Sequence, residues 1–284
     1  MILVTGAGGT TGSEVVKALS RQGAGFRACF HTQEKAAKAA EAGFDAVVAD
    51  FRKPETLRPA LKGATKLFLL SPLSPDLASL EASATAAAKE AGVERVVKLS
   101  VWRASEQGYL FATWHRRAEK EIESSGIPFT FLRPNSFMQN FVNYFAAGIR
   151  DRQSILIPAG AARVSTIDVR DIAEVAVKVL TDPGHEGRAY DLSGPESLSY
   201  AQIAAIFSMV LGKRITYVDV PEADAGRAMI EHGTPEWMAE GFLDLQRYSR
   251  QGLAADVLGS VQQILSRKAT SFERFARDHA RAFL

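Results

Sequence analysis

Two hydrophobic periods alternate along the first 134 residues. Short runs of consecutive apolar positions are separated by longer stretches in which apolar residues recur three or four apart. The first kind predicts strands buried on both faces, and the second predicts amphipathic helices. Strands are expected at Ile2–Thr5, Arg27–Phe30, Ala46–Ala49, Leu67–Leu70, Val96–Leu99 and Phe129–Leu132. Helices are expected at Thr10–Gln22, Glu34–Ala42, Pro54–Lys62, Pro75–Ala91 and Ala112–Ser125, with Gly43, Gly92 and Gly126 as stop signals after three of them. Strict strand–helix alternation implies an α/β fold with a parallel sheet covered by helices on both faces.

The pattern changes after Pro134. A helix rich in phenylalanine and asparagine is expected over Phe137–Ile149, another over Ile167–Leu180, and a short strand over Ala189–Leu192. From Tyr200 onward the periodicity is mostly helical, with one strand near Ile215–Val218. This divides the chain into residues 1–134, with parts of 165–195 packing on them, and a smaller, mainly helical lobe over 135–284 that is expected to bind substrate. The aromatic residues and methionines of Met229–Tyr248 fit either the lining of a ligand cleft or the ordinary core of a helical lobe.

Composition narrows the field. Of 284 residues, 46% are apolar and 23% charged, enough apolar content to build a core. The net charge of +2 gives no pull toward nucleic acid or a membrane surface. A single cysteine, Cys29, excludes an intramolecular disulfide and fits a reducing compartment. No basic leader precedes the first strand, no uninterrupted apolar run reaches transmembrane length, and no cysteine/histidine cluster suggests a metal. A cytoplasmic protein, monomeric or homodimeric, is expected.

The sharpest chemical signal is Val4-Thr5-Gly6-Ala7-Gly8-Gly9-Thr10-Thr11-Gly12, between the first strand and first helix. That context suits a dinucleotide loop. Gly6 permits a tight turn, Gly9 lets backbone approach a pyrophosphate, and Gly12 lets the helix pack closely. Thr10 and Thr11 open the helix whose free N–H groups would face the phosphates. The fold expected is therefore a Rossmann-type doubly wound sheet. An acidic residue at the end of the second strand would bind the ribose hydroxyls of NAD. Here the chain reads His31-Thr32-Gln33, with no carboxylate before Glu34, so NADP(H) is favoured over NAD(H), with His31 and Thr32 as phosphate donors. Asp50 is placed to meet an adenine amino group or to brace a turn. Ser71-Pro72 and Ser100-Val101 end the fourth and fifth strands, where ligands of open α/β sheets bind.

With the glycine loop, the pieces Asp50-Phe51, Leu69-Leu70-Ser71-Pro72, Ser125-Gly126-Ile127-Pro128-Phe129-Thr130-Phe131-Leu132-Arg133-Pro134, Asp168-Val169-Arg170-Asp171-Ile172-Ala173 and Leu192-Ser193-Gly194-Pro195-Glu196 resemble the NmrA-like group of atypical short-chain dehydrogenases/reductases. The resemblance implies an NADPH-dependent reductase of small planar aromatic acceptors, such as quinones, azo dyes or triphenylmethane dyes. The group also holds non-catalytic NADP(H) sensors, which leaves a regulatory protein as the alternative. It further implies cofactor contacts at Phe51 and at the turn Pro134-Asn135-Ser136-Phe137. The Tyr-x-x-x-Lys pair of classical reductases is missing: none of the 6 tyrosines has a lysine four residues on. Related benzylic-ether and isoflavone reductases carry a lysine near the start of the equivalent helix, and the matching position here is His115. Glu119, four residues on, is expected to pair with it, either on the surface or in the cleft.

Overall fold

The computed structural model describes residues 1–284. The chain runs β1 (Ile2–Val4), α1 (Thr10–Arg21), β2 (Phe26–Phe30), α2 (Gln33–Glu41), β3 (Ala46–Val48), α3 (Leu57–Leu61), β4 (Lys66–Leu69), α4 (Leu77–Glu90), β5 (Arg95–Leu99), α5 (Leu110–Ser125) and β6 (Phe129–Pro134). It continues through α6 (Ala146–Asp151), β7 (Ser154–Leu156), β8 (Arg163–Val164), α7 (Val169–Thr181), β9 (Arg188–Leu192), β10 (Leu198–Ser199), α8 (Tyr200–Leu211) and β11 (Thr216–Val218). Helices α9 (Glu222–Glu231), α10 (Glu236–Arg250), α11 (Ser260–Leu265) and α12 (Phe272–Asp278) close it.

Seven strands form one sheet in the order β3-β2-β1-β4-β5-β6-β9. The pairings from β3 through β6 are all parallel. The reversal of strand order beside β1 is the switch point at which a doubly wound fold opens a crevice. The central strands β4 and β5 are buried along most of their length, which is why they read as apolar on both faces.

The chain separates into two compact units. The first comprises residues 1–105, 112–133 and 169–190. Its core includes Leu3, Leu57, Leu67, Leu69, Val96, Ile122 and Phe131. Helix α7 belongs to it although it follows β8 in sequence. Val169, Ile172, Val175, Ala176, Val179 and Leu180 of α7 are buried. Its last turn is capped from the sheet: Lys66 Nζ donates to the Leu180 carbonyl at 2.6 Å, and Arg95 to those of Val179 and Asp182 at 3.1 and 2.8 Å. Cations at a helix C-terminus satisfy otherwise orphaned carbonyls and suit the dipole.

The second unit comprises residues 106–111, 134–168 and 191–284. Its aromatic core holds Phe141, Phe207, Phe272 and Phe283, with Phe207 set edge-on to Phe272 at 5.4 Å. A reciprocal cap opens α8: Ser199 accepts from the Gln202 amide while the Gln202 side chain accepts from the Ser199 amide.

Several boundaries differ from expectation for local reasons. The helix expected over Pro54–Lys62 is a 3₁₀ turn, Pro54–Thr56, followed by α3. The helix expected from Pro75 begins at Leu77, after a turn closed by the Leu77 amide on the Ser74 carbonyl. The helix expected from Phe137 begins at Phe141, with a wide π turn over Phe141–Phe145 before α6. Phe137 instead bridges Ile167, and the Met138 amide donates to the Ile167 carbonyl at 2.9 Å. Strands β7, β8 and β10 were not expected.

Candidate cofactor and donor site in the first unit

The glycine loop is clamped from both sides. The Ala7 amide donates to the Cys29 carbonyl at the end of β2, at 3.1 Å. The Thr5 hydroxyl donates to Phe68 and Leu70 carbonyls and accepts from the Leu70 amide at 2.8 Å, which ties β1 to the end of β4. Gly6 sits at φ +63°, where a side chain would also strike Leu70. A Cβ on Gly12 would lie 2.6 Å from the Gly6 carbonyl carbon. Glycine at position 12 therefore seats the first turn of α1 against the loop.

Gly8, Gly9 and Thr10 form an exposed rim. Gly9 is the N-cap of α1 and has no side chain to accept from the first-turn amides, and no acidic residue stands in that turn. Thr11 and Gly12, one step along, are buried. A helix start left open this way, with its dipole unopposed, suits an anion.

At the end of β2, His31, Thr32 and Gln33 are exposed. Thr32 caps α2, its hydroxyl accepting from the Lys35 amide at 3.4 Å, so its remaining capacity is as a donor. Lys35 is a residue the sequence reading missed. A Cβ on Gly8 would touch the Lys35 Cδ and the Phe30 ring at 3.3 Å, so the lysine stem lies over the loop. The other nearby cation, Arg27, is bound elsewhere, to Asp45 at 3.0 Å and to the Ala60 and Lys62 carbonyls. Asp50 braces its own turn, accepting from the Arg52 amide at 2.9 Å. Phe51, the residue after it, is buried in the core cluster that holds Leu57 and Leu61.

Beyond β4 and β5 lies a buried polar cluster that the sequence did not reveal. Ser71 donates to Glu81 Oε1 of α4 at 2.7 Å. Glu81 Oε2 is 2.5 Å from Lys98 Nζ of β5, and both side chains are sealed from solvent. Lys98 also approaches His115 Nδ1 of α5 at 3.1 Å and the Leu99 carbonyl at 3.3 Å. Ser100 donates to Glu119 Oε1 at 2.7 Å. Arg133 of β6 grips both oxygens of Glu119 at 2.9 and 2.7 Å, and Arg116 adds a bond at 3.1 Å. Pro72 is exposed and Val101 half-buried beside these strand ends.

The expected His115–Glu119 pair does not form. Glu119 is taken by Arg133, Ser100 and Arg116, and His115 is buried rather than on the surface. Burial alone would raise the Glu119 carboxyl, but Arg133, Ser100 and Arg116 outweigh it and hold it below its ordinary value. Burial, then the Lys98 charge, push His115 well below the ordinary histidine value. Burial raises the Glu81 carboxyl, with Lys98 and Ser71 opposing. Glu81 and Lys98 left no trace in the sequence beyond a charge inside each of two apolar runs.

The expected turn residues 134–137 open the second unit. Pro134 and Asn135 are buried, Ser136 and Phe137 half-buried. The Asn135 amide nitrogen donates to Ser165 Oγ and the Ala254 carbonyl, both at 2.9 Å, while its oxygen accepts from the Ser136 amide. Its side chain is therefore a strut within this unit. In the Met229–Tyr248 segment, Ile230, Trp237 and Leu243 line a hollow of about 550 Å³ with Gly226. Tyr248 is instead buried against Tyr109, ring centroids 4.8 Å apart.

The sheet order, the clamped glycine loop and the open helix start together define a dinucleotide-binding α/β protein of the Rossmann type. The chain belongs to the NmrA-like family, whose model matches residues 1–276. It is 38% identical to the NAD(P)H azoreductase of Xenophilus azovorans over 284 residues, covering 100% of this chain and 99% of that protein. Among solved structures it superposes on the NADPH-dependent quinone oxidoreductase of Escherichia coli complexed with NADPH, with TM-score 0.89 and 27% identity over 99% of each chain. It also superposes on a Citrobacter triphenylmethane reductase complexed with NADP(H), with TM-score 0.86 and 27% identity over 98% of this chain and 99% of that one.

Proposed function

We propose that this protein is an NADPH-dependent reductase of small planar aromatic acceptors, of the quinone, azo or triphenylmethane type. The observation that carries the reading is the cradle at the start of α1: glycines at 6 and 12 that leave no room for side chains, and a first turn with neither cap nor acid. Those residues fit a pyrophosphate. Lys35 and the donors of His31 and Thr32, with no carboxylate at the end of β2, fit a 2′-phosphate. The names of the azoreductase, the quinone oxidoreductase and the triphenylmethane reductase support the acceptor class.

Bound NADPH would supply a hydride. The chain's own part is to position the reactants and to donate hydrogen bonds where negative charge develops on the acceptor. His115 is the proposed donor. With no Tyr-x-x-x-Lys pair in the sequence, acceptors that need little proton assistance suit this site.

The test is loss of NADPH absorbance with a panel of quinones, azo dyes and triphenylmethane dyes, alongside calorimetric NADPH and NADH binding. Turnover on at least one class and tighter binding of NADPH are expected. Tight NADPH binding with no turnover on any acceptor would move the assignment to a non-catalytic NADP(H) sensor.

A further inference from the structure

We propose that Lys98, clamped by Glu81, is a positioning residue that fixes the tautomer of His115, so that the ring is a neutral Nε2–H donor. The inference rests on the reductase reading for its use in turnover, but the tautomer itself follows from geometry. A lysine ammonium has three protons and no acceptor. Lys98 Nζ is ion-paired with Glu81 Oε2 at 2.5 Å and has two further atoms in hydrogen-bonding reach, His115 Nδ1 at 3.1 Å and the Leu99 carbonyl at 3.3 Å. Nδ1 can only accept. The ring proton of a neutral imidazole then has one place left, Nε2.

The surroundings keep the ring uncharged. Lys98 faces it from β5. On the side of α4, Glu81 is turned onto Lys98 and held there by Ser71. On α5 itself, Glu119 lies one turn along but is gripped by Arg133 of β6 and by Arg116. No carboxylate is left to favour an imidazolium, and burial opposes one. A neutral imidazole is a poor general acid near neutral pH, but its N–H is a strong, fixed hydrogen-bond donor to an oxygen or nitrogen gaining negative charge. Lys98 thus does in this chain what a carboxylate does for many histidines, with the opposite outcome. A carboxylate accepts from Nδ1–H and stabilises the cation, whereas an ammonium donates to Nδ1 and forbids it.

The test is ¹⁵N NMR of histidine-labelled protein between about pH 5 and 8, with the His115 signal assigned by its loss in His115→Gln. Wild type should show a neutral Nε2–H ring that does not titrate across the range. Lys98→Met alone strands a buried carboxylate and can fail to fold, so the informative variant is Glu81→Gln with Lys98→Met. In it, His115 should show mixed tautomers or take up a proton within the range. Its turnover with a quinone should fall about tenfold or more, with NADPH affinity unchanged. An Nδ1–H or imidazolium signal in wild type at neutral pH overturns the proposal, as does an unchanged signal in the double variant. A moved tautomer with unchanged turnover overturns the role in reduction. A wild type with the expected signal but no turnover on any acceptor upholds the tautomer and overturns the reductase reading instead.

Discussion

At the residue scale, glycine does different work at neighbouring positions of one loop, and this separates binding from stability. Gly12 has no room for a Cβ, whereas Gly9 is exposed at φ −91°, and its nearest obstacle is the Gly6 carbonyl at 3.3 Å. Gly9→Asp should therefore fold. Its carboxylate becomes an N-cap for α1, holding stability or raising it by a few tenths of a kcal/mol. The same charge should repel a bound phosphate, so calorimetry should show NADPH binding largely lost while the melting temperature is kept. Loss of both would mean that Gly9 is needed for the fold itself. His115 carries a second residue-scale expectation. Its folded pKa lies well below the unfolded value of 6.5, so its contribution is full above pH 6.5 and is lost as pH falls, because only the unfolded chain takes up the proton. Between pH 7 and pH 5 this costs wild type as much as about 2 kcal/mol. Urea midpoints should show His115→Gln escaping that part of the loss. Glu119, held below 4.5, adds acid sensitivity only at lower pH and in both proteins alike.

Elements differed in how far the sequence revealed them. Strands β4 and β5 were legible because burial on both faces leaves a run of apolar letters, and α1 and α4 because their helical stripes are long. Strands β7, β8 and β10 were not, being two or three residues each and defined by partners distant in sequence, as Ser154–Leu156 is by Thr216–Val218. Residues 137–140 carry a helical pattern, yet the bridge from Phe137 to Ile167 takes them. The glycine loop was legible as a motif. The Glu81–Lys98–His115 contact was not, because it joins α4, β5 and α5, and no local spacing encodes it. The turn after β6 shows what such long-range contacts contribute. Asn135 holds three segments of the second unit together, and Asn135→Ala strands the Ser136 amide, while the Ala254 carbonyl keeps its bond from the Ser165 amide. Each buried polar group left unsatisfied costs about 1–3 kcal/mol. Denaturant unfolding should show a loss of that order or somewhat more, and NADPH affinity measured under folded conditions should stay close to wild type if the side chain is a strut alone.

At the scale of the whole molecule, neither unit is a continuous stretch of chain. The path passes between them after residues 105, 111, 133, 168 and 190. Residues 1–134 expressed alone would lack α7, which supplies nine buried residues to the first unit, eight of them apolar. At about 1.5–3 kcal/mol for each large apolar side chain, that loss rivals the net 5–15 kcal/mol by which a domain is stable. The fragment should be aggregated or without a cooperative transition by circular dichroism. A fragment that binds NADPH and unfolds cooperatively would show that α7 is dispensable. The capping of α7 by Lys66 and Arg95 has a further consequence, in time rather than energy. These two cations emerge from the ribosome more than eighty residues before the carbonyls they cap. Throughout that interval the sheet face awaiting α7 is bare, and residues 134–168 of the other unit must be synthesised before it can be covered. Folding of the nucleotide-binding unit is thus completed only after about two thirds of the chain has been made, and the sheet face stays uncovered over the 114 residues between Lys66 and Leu180.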